Sequence, residues 1–598
     1  MWRRKLLLAA AMLLCYNIEA QEFDSFAIIS ELMENEFSEE IDPDELERLE
    51  RYIENPLRIN IANHSRLKES GLLTQYQTAS LIDYRTRHGD VLSLTELAAL
   101  DGFGADFVRK LSYFISLEAS SLSRQGNLSS KKTHHELEIK GTMRDNEELK
   151  GQYALRYRIE SGESLQASLA LSKSASARGP DAYAGNIFWY FRRYSAKVAV
   201  GNFNARFGQG LALWNGMSIS GLSKPSSYLK RSSNLSPSHS FTGNYSFKGV
   251  AAEAIAGKFR VTILTALSGA EADLGLLPAA NLTFLFPNGQ VGLTHYADFR
   301  FPKGGLSIPD MKTSFDMAMT IKGIDLFAET AYGWNSNAPA TLTGIVFPVG
   351  ENMRLASMLR YYPSAFQPTY SAASRALTKC SNEYGGSISA EFSGGKWVDI
   401  RGAEGFGANT RRLQGTLSVD GAYFPISKSD DGRKSLQLKS LAEIKMMITN
   451  VVALKCRLTE RIRTWDMPLR TDVRMDVFYY SSVLDLAARA NLVKCKKTSF
   501  LTYTEGTLKC KPVTFSLRSG LFFVDEWEDR IYAYERDLPG SFNVPAFYGR
   551  GYWISLSGNW KFARWGRVYV KGSLMQYPFM EKKKPGRAEL KLMLKLKI

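Results

Sequence analysis

Two glycines flanking an aromatic residue, Gly102-Phe103-Gly104, precede a helical stretch that carries Arg109 and Lys110 in its second turn. Glycine lets the backbone turn tightly and approach another molecule, and a helix starting there offers free N–H groups with a partial positive charge. Such a turn can hold an anion, a DNA phosphate in particular, without reading a base. Arg85, Arg87 and His88 lie in the connector just upstream and add positive charge. This chemistry is binding rather than bond-making. HExxH, GxSxG and GxxxxGK[ST] patterns are absent, and the six histidines are dispersed apart from His134-His135, which has no further metal ligands nearby. His239 and His295 have serines nearby, but separation in sequence establishes no catalytic group. Neither an enzymatic activity nor a cofactor is expected.

The elements that would position these residues run from Leu57 to Leu117, where apolar residues keep a helical period between breaks at Gly71, Gly89 and Gly102 to Gly104. Leu57-Arg58-Ile59-Asn60-Ile61-Ala62, Leu81 to Gly89, Leu94-Thr95-Glu96-Leu97 and Leu100-Asp101-Gly102-Phe103-Gly104 together resemble the tandem helix-hairpin-helix domain of ComEA-like competence DNA receptors. The resemblance implies sequence-independent contact with double-stranded DNA through Gly102, Phe103, Gly104, Arg109, Lys110, Arg85 and Arg87. The first hairpin departs from the family pattern, because Leu72-Leu73-Thr74 stands where a Gly-hydrophobic-Gly turn is expected. Thr74 suits a helix cap instead. The unit carries seven bases and six acids, a weak balance for DNA, so an outer-membrane channel or assembly component whose helical domain recruits a periplasmic protein stands as the alternative to a DNA-binding role in uptake.

Upstream, residues 21–56 hold thirteen acids and two bases. Within them Asp42-Pro43-Asp44-Glu45 reads as the cap and first turn of a helix that runs into Ile53, with Leu46, Leu49 and Ile53 on one side. That helix is expected to shield the hairpins or to dock on a basic surface, the barrel's own mouth included. Still earlier, Trp2-Arg3-Arg4-Lys5, the apolar run Leu6 to Leu14 and Ile18-Glu19-Ala20 form a secretory signal cleaved after Ala20. Leu14 before Cys15 argues against lipidation at that cysteine.

Beyond a Ser-rich linker at 119–134, the period changes from helical to two. Tyr153, Leu155, Tyr157 and Ile159 alternate with Arg156, Arg158 and Glu160; Val473, Met475 and Val477 alternate with Asp472, Arg474 and Asp476. The final stretch sets Leu590, Leu592, Leu594, Leu596 and Ile598 against Lys591, Lys595 and Lys597. One face is greasy and the other charged, strand after strand, as in a barrel with lipid outside and water inside. The aromatic runs at Phe188 to Phe191, Tyr361-Tyr362 and Tyr479-Tyr480 fit interfacial girdles. No apolar run past the signal is long enough for a helical span. The formal charge of +16, set against the acidic N-terminal segment, makes the strand-rich part strongly basic. Cys380, Cys456, Cys495 and Cys510 lack CxxC spacing, which argues against zinc, and sit in strand-like text where packing is expected.

The predicted architecture is therefore multidomain: a signal at 1–20, an acidic helical segment at 21–56, a small all-α helix-hairpin-helix domain at 57–118, a linker at 119–134 and a large antiparallel transmembrane β-barrel at 135–598, with roughly 20 to 26 strands. This order is similar to that of a group of large Gram-negative outer-membrane proteins, whose barrels Phe207-Gly208-Gln209-Gly210-Leu211-Ala212-Leu213-Trp214 also resembles. The glycines of that motif are expected to mark a bend or a close strand contact. Outer-membrane lipid is the first partner implied, with the N-terminal domain facing the periplasm.

Overall fold

A computed structural model of the chain describes residues 29, 43–119, 133–145, 149–162, 164–191, 194–216, 224–242, 245–268, 274–301, 309–350, 352–399, 409–428, 432–510, 512–541, 543–580 and 585–598. The signal segment with Cys15, most of the acidic stretch before Pro43, the core of the linker and the Gly405-Phe406-Gly407-Ala408 text lie outside the described residues.

Among the described residues, twenty-four antiparallel strands from Thr133–Asp145 to Arg587–Lys597 pair edge to edge, and the last pairs with the first. Closure sets Leu592 opposite Gly141 and Lys595 opposite Glu138, and Ile598 N donates to His135 O at 2.8 Å. A closed ring leaves no edge with unpaired backbone groups, which is the condition for strands to cross lipid. The first strand begins at Thr133, so Thr133 and His134, at the end of the expected linker, belong to it.

The alternation read from sequence is the alternation of the wall. Tyr153, Tyr157, Val473, Met475, Leu590 and Leu592 point outward and are exposed, whereas Arg156, Arg158, Asp476, Lys591 and Lys595 point inward and are buried. Exposed rings gather at both ends of the strands: Trp189 stacks on Phe191 and Phe562 meets Trp565 at one end, and Tyr361 stacks on Tyr384 at the other. These are the two girdles of a barrel in an outer membrane. No described helix is long and apolar enough to cross a membrane. The four cysteines past the signal are free, and Cys456 faces outward beside Leu458.

The two ends of the barrel differ. Turns such as Gly257-Lys258 and Lys322-Gly323 join strands at the end that carries Thr133 and Ile598, while the segments between Arg206 and Phe247, Tyr362 and Glu383, and Val524 and Gly549 are long and lie at the other end. Short turns mark the periplasmic side of an outer-membrane barrel, and long loops the outer side.

Five described helices precede the barrel: α1 (Pro43–Glu54), α2 (His64–Glu69), α3 (Gln75–His88), α4 (Leu94–Ala98) and α5 (Ala105–Leu111). Asn63, Thr74 and Ser93 cap α2, α3 and α4 through their side-chain oxygens, and Thr74 forms a full capping box with Gln77. Two helical hairpins result, α2–α3 and α4–α5, around a core that includes Leu67, Leu81, Leu97, Val108 and Leu111. A parallel pairing of Leu57–Arg58 with Ile115–Ser116 ties the start of this unit to its end. Asn60 fastens the closure: its amide donates to Val91 O at 3.0 Å and Leu117 O at 3.2 Å, and its oxygen accepts from Val91 N at 2.9 Å.

Two substitutions test this architecture. Replacing Leu592, which lies in the middle of its strand on the lipid face, with arginine should destabilise the barrel by about 2–4 kcal/mol in denaturant-dependent folding into lipid vesicles. Asn60→Ala should leave Val91 N and its neighbours without partners, at a cost of about 2 kcal/mol, read as hydrogen exchange at 57–62 and 114–117 that is roughly thirtyfold faster.

Candidate functional site within the lumen

The helical unit sits within the barrel, at the short-turn end, and acidic helix α1 is its main attachment. Leu46 and Leu49 turn toward the helical core, while the carboxylates on the other side meet inward-facing cations of the wall and of the long loops. Glu45 lies 3.9 Å from Arg206, Glu47 pairs with Arg156, and Glu54 reaches Lys595 at 2.7 Å and Lys597 at 2.9 Å. Between them Glu50 accepts a hydrogen bond of 2.7 Å from the backbone N–H of Gly540, in the loop between Val524 and Gly549. Arg51, on the same helix, pairs with Glu160. The ladder runs from Arg206, at the long-loop end of its strand, to Lys597 at the short-turn mouth, so α1 lies lengthwise along the wall.

Helix α2 makes a second attachment. Glu69 accepts from Lys197 Nζ at 3.1 Å and from Tyr190 Oη at 2.9 Å, Ser65 donates to Glu253 at 3.2 Å, and Arg260 Nη2 lies 3.2 Å from His64 Nδ1. Nearly every attachment is polar, because the inward face of a membrane barrel is its water-facing one.

The long loop after Arg206 folds inward and meets the same compartment. Gly208 and Gly210 have φ of +56° and +84°, and three backbone donors of this turn, Gln209 N, Leu211 N and Ala212 N, converge on the Glu329 carboxylate at 2.7, 3.0 and 3.2 Å. A Cβ on Gly208 would lie 2.8 Å from Glu329 Oε2, so the motif is a bend at a close contact, as its glycines implied. Sequence reading missed Glu329, whose signal is one inward carboxylate among many.

Burial and neighbouring charge tune α1 and α2. Burial, with Glu47 and Glu54 close by, pushes the Glu50 carboxyl up to about 8 despite the Gly540 hydrogen bond. At Glu54 burial acts in the same upward sense, but Lys595 and Lys597 overcome it and hold the carboxyl at about 2. Burial, together with Arg260, lowers the Lys68 ammonium to about 7 and, with Lys68 adding, the His64 imidazole to about 3.

The residues singled out for phosphate binding divide into separate environments. Gly102 and Gly104 do take positive φ, of 82° and 70°, and the space in front of Gly104 is open. Phe103 is buried in the helical core and packs near Phe107. Arg109 is also buried, whereas Lys110 is half-buried. Arg85 donates to Ala62 O at 2.7 Å, exposed Arg87 pairs with Asp83 at 2.9 Å, and exposed His88 packs on Tyr84. The first hairpin, Ser70 to Leu73, is wholly buried, and the missing side chain of Gly71 makes room for the Arg48 guanidinium of α1. Among the described residues no group of histidine, cysteine and carboxylate side chains could hold a metal ion.

No family model matches the chain, and no curated protein matches it. Among solved structures it is similar to the siderophore receptor PirA from Pseudomonas aeruginosa, at 7% identity over 78% of this chain and 80% of that one, with a TM-score of 0.38. The P pilus usher PapC translocation pore matches at 8% identity, 78% and 99% coverage and a TM-score of 0.38. The copper transporter OprC matches at 8% identity, 78% and 81% coverage and a TM-score of 0.39.

Two measurements follow from the ladder. Glu47→Lys breaks a buried pair and leaves Arg156 facing a second cation, so docking of α1 should weaken by about 3–5 kcal/mol, seen as loss of hydrogen-exchange protection over 43–54. For Glu50, a carboxyl raised from 4.5 to about 8 is held protonated when docked, so its contribution is fully present below pH 4.5 and is lost as pH rises toward 8. His64 runs the other way, its contribution being lost as pH falls from 6.5 toward 3. The stabilisation of docking by Glu50→Gln should therefore grow from pH 4.5 to pH 8 when compared with the unaltered protein at each pH.

Proposed function

We propose that the protein is an outer-membrane channel or transporter whose helical domain is an internal plug that a periplasmic protein engages. The observation that carries this reading is the run of polar ties from Glu45 to Glu54, ion pairs to inward-facing wall residues and one hydrogen bond from a luminal loop. Polar contacts of this kind exchange for water at lower cost than an apolar seam, so the domain can shift without exposing a greasy surface. The exposed stretch around Arg87, His88 and Leu92 gives a periplasmic protein a place to grip, and Leu92 is 76% exposed.

A second reading, contact with DNA phosphates at a ComEA-like helix-hairpin-helix turn, draws support from Gly102 and Gly104, with their positive φ and the open space at Gly104. Lys110 would assist it, with Arg109, Arg85 and Arg87 at the periphery; Asp106 in the first turn of α5 opposes it.

Deleting residues 43–118 should raise single-channel conductance in planar bilayers several-fold over the full chain. Equal conductance would remove the plug from the mechanism. Full-length protein in micelles, titrated with labelled duplex DNA at low salt, tests the second reading: binding lost in Gly104→Val supports it, and no binding ends it.

A further inference from the structure

A cavity of about 410 Å³ lies at the short-turn end, between the helical domain and the wall, within the range of small-molecule sites. Helix α1, the segment after it, the first two strands and the inward loop near His239 all contribute to its lining. Six arginine and lysine side chains line it against three glutamates. Those glutamates already have cationic partners: Glu160 pairs with Arg51, Glu136 with Arg158 at 2.9 Å, and Glu69 with Arg66 at 3.3 Å.

The arginines are less completely matched. Arg158 is 3% exposed, yet its Nε and Nη2 have no hydrogen-bond partner among the described residues, and Glu47 approaches Nη2 only at 3.7 Å. The Nε groups of Arg48 and Arg51 are likewise buried without an acceptor. Buried guanidinium N–H groups that lack acceptors are costly, and an oxyanion with several lone pairs satisfies more than one at once. Tyr52, Leu57 and Pro237 give the cavity an apolar side.

We propose that this cavity is a binding site for a soluble phosphate-type dianion, held by Arg158 of the wall with Arg51 and Arg48 of α1. The ligand is bound by both bodies at once, so its occupancy holds the helical domain to the barrel. The positive potential required is visible at His239, where burial and then Arg51, Arg158, Arg156 and Arg48 hold the imidazole's proton affinity well below its ordinary value. The lining arginine of the wall points inward, away from lipid, which favours a dissolved ion over a lipid headgroup. This inference does not depend on whether the barrel conducts.

The test is phosphorus NMR and calorimetric titration of the full chain in phosphate-free detergent with inorganic phosphate at low chloride. Saturable binding with Kd below about 1 mM is expected. Arg158→Gln and Arg51→Gln should each weaken it about tenfold or more, whereas Arg144→Gln, which alters an exposed arginine outside the cavity, should not. Heat-modified gel mobility identifies any variant that fails to close, and Arg51→Gln leaves the wall itself unaltered. No saturation up to about 10 mM in the unaltered protein overturns the proposal. So does binding that both folded variants retain in full, or a response to phosphatidic-acid micelles with none to inorganic phosphate.

Discussion

Charge on the inside of a closed barrel is the constraint from which the rest of the structure follows. Lipid outside requires one face of every strand to be apolar, which leaves Arg156, Arg158, Lys197, Arg260, Lys595 and many others pointing into one shared space. Cations at that density repel one another and require partners. Some carboxylates come from the wall itself, as Glu138 does for Arg156 and Lys595. Others come from α2 and the long loops, and a further set from α1, whose acidic character is otherwise hard to reconcile with a helix packed in a protein interior. Its charge is complementary to the surface it lies on, so the carboxylates of α1 and the inward cations of a basic barrel are two halves of one interface.

The same logic organises the inward loop. Glu329, an inward carboxylate, is solvated by three backbone N–H groups in place of water, and the tight turn that supplies them needs glycine at Gly208. Two inserts thus share the lumen, one tied by side-chain ion pairs and the other by backbone donors. The first kind of tie weakens with salt, whereas the second, made by neutral donors, depends on salt less.

The barrel was legible because lipid imposes a period of two that no neighbouring element can override, and Leu590 to Ile598 or Tyr153 to Glu160 display it plainly. The helical unit was legible from its caps, with Thr74 the clearest example. The place of α1 was only partly so. Its acidic face implied a basic surface and the barrel's mouth was one candidate, but charge has no address, and nothing in Glu47 or Glu54 specifies Arg156 or Lys595 rather than other cations. The phosphate-binding set shows a different limit. Gly102 and Gly104 carry a backbone requirement that sequence announces, whereas Phe103 and Arg109 are defined by what packs over them, which depends on contacts distant in sequence. Gly71 illustrates the converse, since its reason is a guanidinium from a helix that precedes the hairpin.

The central claim is that the helical domain resides in the lumen, tied by carboxylate–ammonium pairs, and it can be tested in native outer membranes with a zero-length carbodiimide, which joins only carboxylates and amines already in contact. Mass spectrometry should recover isopeptide links between Glu54 and Lys595 or Lys597, and between Glu69 and Lys197, together with the Lys591–Asp537 link inside the barrel as an internal standard. Recovery of the Lys591–Asp537 link without any link from Glu54 or Glu69 to a strand would contradict the account, because the barrel would then be intact and the helical domain elsewhere.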